Sequence, residues 1–309
     1  MSTTSPPPLR RFLAPRHWPM WFGLGLLRLL ILLPYPILLK LGNALGKLLY
    51  SLLAKRRHIT TTNLRLCFPE LDEQAREKLA QESFQALGVA IFESALAWWA
   101  SDRRLRPLQR MEGMEHYEKA LAQGRGVILL GGHYSTLEIS GRLARFHLDE
   151  LYPIYKNAKN PLFNALMLRT RKLHYTGILD SHDMRSIVRT LKAGKTIWYA
   201  PDQDFGHNHS VFAPFFDVPT ATLLMTMRLA KLTGAPVLPA VSERLPGNQG
   251  YLSTVLPALE DFPSGDDVRD ATLINATMEA QIRRNPAQYL WAHRRFKTRP
   301  AGEPAIYDS

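Results

Sequence analysis

The chain has 309 residues but only one cysteine, Cys67, so no intrachain disulfide can form, which fits a reducing compartment. Acidic residues are also scarce, 27 Asp and Glu against 39 Lys and Arg. The resulting charge of +12 points to an acidic partner: nucleic acid, anionic lipid or an acidic protein. No internal repeat occurs, and no low-complexity block lies beyond the first few residues, which excludes solenoid and fibrous classes. No fold signature of a nucleic-acid-binding module is present. His207 and His209 follow Asp202 and Asp204 at once, but no further ligand joins the two histidines at a recognisable spacing, so no metal is expected there.

One long apolar run is present, residues 20–39, interrupted by Arg28, Pro34 and Pro36. Its length can cross a hydrocarbon core of ~30 Å at ~1.5 Å per helical residue. Arg10, Arg11 and Arg16 precede it; Lys40, Lys47, Lys55, Arg56 and Arg57 follow it. The heavier basic flank on the C-terminal side places the remaining chain in the cytoplasm by the positive-inside rule. Arg28 is a cost and the prolines would kink or end a helix, so a retained anchor or a helix embedded in one leaflet is expected. A cleaved signal peptide is the rival, disfavoured because no small-x-small site follows the run. We therefore expect a basic, proline-rich tail over 1–17, a membrane anchor and amphipathic segment over 18–57, and a cytoplasmic domain over 58–309.

Downstream of Pro107 the pattern alternates. Helices are expected over 114–123, 136–147, 160–172, 185–192 and 221–233, with strands at 127–130, 152–154, 196–200 and 236–241. Upstream, 71–99 reads as one long helix or two short ones, ending in the Trp98-Trp99 pair. Such alternation argues for an α/β fold, layers of helix around a largely parallel sheet.

Three constellations can carry chemistry. In the first, the strand Val127–Leu130 runs into Gly131, Gly132 and His133, with Glu138 five residues on. Within one ideal helix the two side chains would diverge by about 140°. They meet only if His133 sits in the turn before the helix, a turn the glycines permit. Glu138 would then fix the imidazole tautomer of a general base. A core histidine beside an unrelated surface glutamate is the plain alternative. The second constellation, Trp198 to Gly206, sets Asp202 and Asp204 just past another strand. They can hold a substrate hydroxyl or pair with arginines. The third is Arg169-Thr170-Arg171-Lys172 at a helix end, favoured there by the helix dipole and also suited to an anion. Residues two apart share no helix face, so at most one of Arg169 and Arg171 points inward. The basic, aromatic stretch 289–299, with Arg294 and Arg295, suits an anionic headgroup or an acidic protein better than nucleic acid, given the apolar run.

In order along one chain stand His133-x4-Glu138, the block Trp198-Tyr199-Ala200-Pro201-Asp202-Gln203-Asp204, and the tail from Pro286 and Gln288 through Trp291, His293, Arg294 and Arg295 to Pro300. This ordered set resembles the late acyltransferases of lipid A biosynthesis in Gram-negative bacteria, and the tail looks most like their lauroyltransferase branch. The resemblance implies a layered glycerolipid-acyltransferase-like fold with an N-terminal membrane helix, at the inner membrane and facing the cytoplasm. It implies acyl carrier protein as donor and a lipid A precursor as acceptor, with the membrane as a third partner, no nucleic acid and no cofactor. His133 and Glu138 match the family's H-x4-D/E motif. Arg169 is the family-like basic residue expected near the thioester or a phosphate, with Arg171 as the alternative. Asp202, Asp204, Arg294 and Arg295 are the remaining substrate-binding candidates. Two other readings fit the residues: a glycerol-phosphate or lysophospholipid acyltransferase, and a non-enzymatic basic protein that binds membranes.

Overall fold

The computed structural model describes residues 7–307. Two short 3-10 turns, Leu9–Phe12 and Pro15–His17, open the described chain, within the basic, proline-rich stretch; residues 1–6 lie outside the description. Three helices follow, α1 (Trp18–Leu30), α2 (Tyr35–Leu52) and α3 (Ala54–Cys67). The 27-residue α4 (Glu73–Trp99), with Asp72 accepting from the Ala75 amide at its N-cap, runs along them. After the short α5 (Asp102–Leu105), strands and helices alternate. They are β1 (Gln109–Glu112), α6 (Met114–Leu121), β2 (Val127–Leu130), α7 (Leu137–Ala144), β3 (Tyr152–Tyr155), α8 (Pro161–His174), β4 (Leu179–Asp180), α9 (Met184–Lys192) and β5 (Thr196–Tyr199). A hairpin of β6 (Ser210–Phe215) and β7 (Val218–Leu223) precedes α10 (Met225–Thr233), β8 (Val237–Arg244), β9 (Tyr251–Val255) and α11 (Asp267–Arg284).

Seven strands form one sheet in the order β1-β9-β8-β2-β5-β3-β4, and β6 pairs only with β7. Every pairing in the large sheet is parallel except β8 with β9. Parallel strands covered on both faces read as unbroken apolar runs, and β2 (Val-Ile-Leu-Leu) is buried at all four positions. Leu130 of β2 lies opposite Tyr199 of β5, so the loops leaving these neighbouring strands start side by side. The crevice outside carboxyl ends of parallel strands is where open α/β sheets hold ligands.

Two helices differ from the expected ones. No single helix among the described residues is long and apolar enough to cross a membrane. The run 20–39 is split between α1 and α2 by the turn Ile31–Pro34, because proline cannot continue a helix through the missing amide and its ring clash. The helix expected over 221–233 begins only at Met225, since residues 218–223 are a strand. Pro214 and Pro219 face each other across that hairpin, and both turn residues, Phe216 and Asp217, have positive φ. Asn-Gly is the usual signature of such a turn, and its absence hides the hairpin from the sequence.

Candidate active site

A single carboxylate organises the loop after β2. Asp202, at the end of β5 and almost wholly buried, accepts the His133 backbone amide on Oδ2 at 2.8 Å. Its other oxygen meets the ring Nδ1 at 2.6 Å. The imidazole stays partly accessible, 27% by its side chain, and lines the main cavity. The Leu290 amide donates to the His133 carbonyl at 3.0 Å, which ties the C-terminal segment to the same turn. With Nδ1 committed to Asp202, Nε2 is the nitrogen left to exchange a proton.

Charge follows geometry. Burial pushes the Asp202 carboxyl up, but the His133 charge, two hydrogen bonds from His133 and nearby Arg295 outweigh it and hold the group down at about 2. Burial works to lower the His133 pKa, yet Asp202 wins and raises it above the ordinary 6.5. Close by, burial is the chief cause that drives His293 down to about 4; Asp202 opposes it and the cations His133 and Arg295 reinforce it. His293 is therefore neutral, and its Nε2 accepts the Asp204 amide at 3.2 Å.

Glu138 is occupied elsewhere. It sits in the first turn of α7, where the helix dipole favours an anion, and its carboxylate pairs with Arg171 of α8 through Nη2 and Nε. The Trp98 indole donates to the same carboxylate at 3.2 Å. The expected task of Glu138, fixing the His133 tautomer, thus falls to Asp202, which reaches Nδ1 from the adjacent strand end. Trp98 itself is buried, 7% exposed.

Of the two candidate arginines, Arg171 lies on the cavity wall with its side chain 14% exposed, whereas Arg169 is exposed and off that wall. Helical spacing forces this opposition. Asp204 is a loop anchor: it accepts the Thr298 amide and hydroxyl, both at 2.7 Å, and the Gly206 amide at 2.9 Å. Arg295, 3% exposed, donates to the Ala221 carbonyl at 2.8 Å and lies over the Phe215 ring. It serves the hairpin and the field at Asp202, not a surface ligand as expected. Arg294 is half-buried, its guanidinium 5.8 Å above the Tyr307 ring.

The cavity holds about 310 Å³. His133, Lys156 and Arg171 line it together with the apolar Leu129, Leu148, Leu151, Met111 and Val255. A few convergent polar groups on an apolar pocket are the usual form of a small-molecule site. The two glycines before His133 serve space and not angle, since neither has positive φ. A Cβ on Gly131 would meet the Trp198 indole at 2.5 Å, and one on Gly132 the Tyr134 ring at 2.8 Å. Sequence reasoning missed Trp98, Lys156 on the cavity wall, and the Asp202–His133 bond, which joins loops 69 residues apart. The matching positions of Gly132-His133 and Pro201-Asp202, each just past an apolar strand, were the available signal.

Comparison with known proteins bears on the whole chain. The family described as bacterial lipid A biosynthesis acyltransferase matches residues 6–298. The lipid A biosynthesis palmitoleoyltransferase of Escherichia coli K12 is 40% identical over 299 residues, covering 96% of this chain and 97% of that one. The lauroyltransferase of the same organism is 40% identical over 297 residues, covering 96% of each. Its myristoyltransferase is 29% identical over 304 residues, 96% of this chain and 93% of that one. With the match running through every element that builds the His133 cavity, the chain belongs to the bacterial lipid A biosynthesis acyltransferases.

Proposed function

We propose that the chain moves a lauroyl group from acyl carrier protein to a hydroxyl on an acyl chain of the Kdo-bearing tetraacyl lipid A precursor, at the cytoplasmic face of the inner membrane. The observation that carries this reading is the Asp202–His133 pair, with His133 on the wall of a largely apolar cavity. The thioester brings its own activation, so the chemistry asked of the protein is removal of a proton as the hydroxyl attacks. His133 Nε2 takes that proton, and Asp202 holds the tautomer and balances the imidazolium. The carbonyl carbon becomes tetrahedral with charge on its oxygen; collapse expels the carrier thiolate, which recovers the proton from His133.

General-base help is worth ~10²–10⁴-fold, so stabilisation of the oxyanion must supply much of the rest. Arg171 is the cation for it, aimed by Glu138 through Nη2 and Nε with Nη1 outside that pair. Glu138 is thus a positioning residue for Arg171. The apolar wall suits the acyl chain, and Lys156 and Arg171 suit the anionic parts of donor and acceptor. The C-terminal block and the 40% identical lauroyltransferase support lauroyl; the equally similar palmitoleoyltransferase makes palmitoleoyl the competing chain.

The test is a mass-spectrometric assay of the purified protein with lauroyl and palmitoleoyl carrier protein and the Kdo-bearing precursor. One added lauroyl group, lost in His133→Ala, is the expected product. Preferential transfer of palmitoleoyl overturns the chain assignment. No transfer from either donor, or full activity of His133→Ala, overturns the mechanism.

A further inference from the structure

We infer that α1 and α2 attach this protein to an anionic bilayer as an in-plane hairpin that enters one leaflet, leaving both ends of the chain on the same side. The inference rests on the proposed membrane attachment and, of the crossing and one-leaflet attachments the apolar run allows, takes the second and extends it to a pair of helices.

Length is the first argument. At ~1.5 Å per residue the 13 residues of α1 reach about 20 Å, short of the ~30 Å hydrocarbon core. Helices α2 and α3 together are long and apolar enough but bend by 96°, and α3 is committed to the catalytic body. Its Ile59, Leu64 and Cys67 are buried, and the Asn63 amide donates to the carbonyls of Trp291 and His293 at 2.7 and 2.8 Å. A segment packed in this way is not available to the lipid core.

The second argument is where the chain before α1 goes. Phe12 is buried against Leu162 and Ala165 of α8, the helix that carries Arg171. The Trp21 indole donates to the Phe12 carbonyl at 2.8 Å, and the Trp18 indole to the Leu13 carbonyl at 2.9 Å. A crossing α1 would have to carry this segment to the far side of the membrane, away from its seat on α8.

The exposed surface supplies the third. Trp18, Phe22, Leu26 and Leu29 of α1 recur at helical spacing and are 46–76% exposed. Ile37, Leu41, Leu48 and Leu52 make a similar row on α2, and Leu32 in the turn is 74% exposed. Lys40 and Lys47 run along one edge of the α2 row. The opposite faces are spoken for: Leu24, Ile31 and Leu38 pack with Phe92, Leu96 and Ile139, and Arg104 grips the carbonyls of Ile31 and Leu33. Residues 1–69 contain ten Lys and Arg and no Asp or Glu. An apolar stripe edged by cations, with no acid near it in the sequence, fits an anionic lipid surface.

Two measurements test this. Single cysteines at Arg11→Cys and Gly302→Cys, in a Gram-negative host, are probed with a membrane-impermeant maleimide before and after lysis of spheroplasts; native Cys67 is 1% exposed and silent. Both sites are expected to label only after lysis; labelling of Arg11→Cys in intact spheroplasts means a crossing and overturns the hairpin. Flotation on phosphatidylcholine vesicles with and without phosphatidylglycerol reads the attachment itself. Binding is expected to be tighter with phosphatidylglycerol and to fall at least ~10-fold in Phe22→Asp, the cost of losing one buried phenyl. Unchanged binding by Phe22→Asp overturns the assigned face. Absence of binding to any vesicle defeats membrane attachment as a whole, while the acyl-transfer assay in detergent still judges the chemistry separately.

Discussion

At the scale of single residues the decisive group is Asp202, because one carboxylate fixes both the backbone and the ring of His133. As the proposed base His133 would act only when neutral, and Asp202 raises its pKa above 6.5. The acid limb of kcat/KM is therefore expected above pH 6.5. In Asp202→Asn the carboxylate charge is gone while burial still favours the neutral ring, so the limb moves below 6.5. Activity should also fall by ~10²–10⁴-fold, since an amide that donates to Nδ1 enforces the wrong tautomer. Stability follows the same linkage. A raised imidazole pKa adds stability in full below pH 6.5 and loses it as pH rises through the folded value. The Tm gap between wild type and Asp202→Asn is accordingly expected to be wider at pH 5 than at pH 9. His133 was legible in the sequence as the histidine of a strand-end turn. Its partner was not: Glu138 is near in sequence, whereas Asp202 is brought in by the β2–β5 register.

Among the elements, α2 and α4 cross with their backbones in close approach. Cβ atoms built on Gly42, Gly46 or Gly88 would meet backbone of the opposing helix at 2.2–2.6 Å. Gly42 and Gly46 are one turn apart, the spacing that lets two helix backbones touch. Gly88→Ala must push the helices apart at the point where α2 is seated. We expect a loss of about 1–3 kcal/mol, read as a lower Tm, with the assay in detergent retained where the protein remains folded. The sequence displayed these glycines without their partners, because helix crossings are long-range facts. The parallel core strands were legible from unbroken apolar runs such as Val127–Leu130. The hairpin of β6 and β7 was not, since Pro214 and Pro219 mimic loop and Phe216-Asp217 is an unusual turn. The N-terminal run was legible as apolar and broken by its prolines, and Pro34 does open a new helix behind a turn.

For the molecule as a whole, the uneven charge matters more than its sum. Residues 70–309 carry 29 Lys and Arg against 27 Asp and Glu, so the excess belongs to the first 69. Vesicle binding should then weaken as salt rises, with the apolar contribution persisting as a floor; measuring the bound fraction between low and physiological salt checks it. A salt-independent bound fraction would show that the cations take no part. A nearly neutral body joined to one positive segment also has a consequence for arrival. A charged sheet exerts a torque on such a molecule as well as a pull, turning it before any side chain makes contact. With a Debye length of ~8 Å at physiological ionic strength, that turning is confined to the last stretch of the approach.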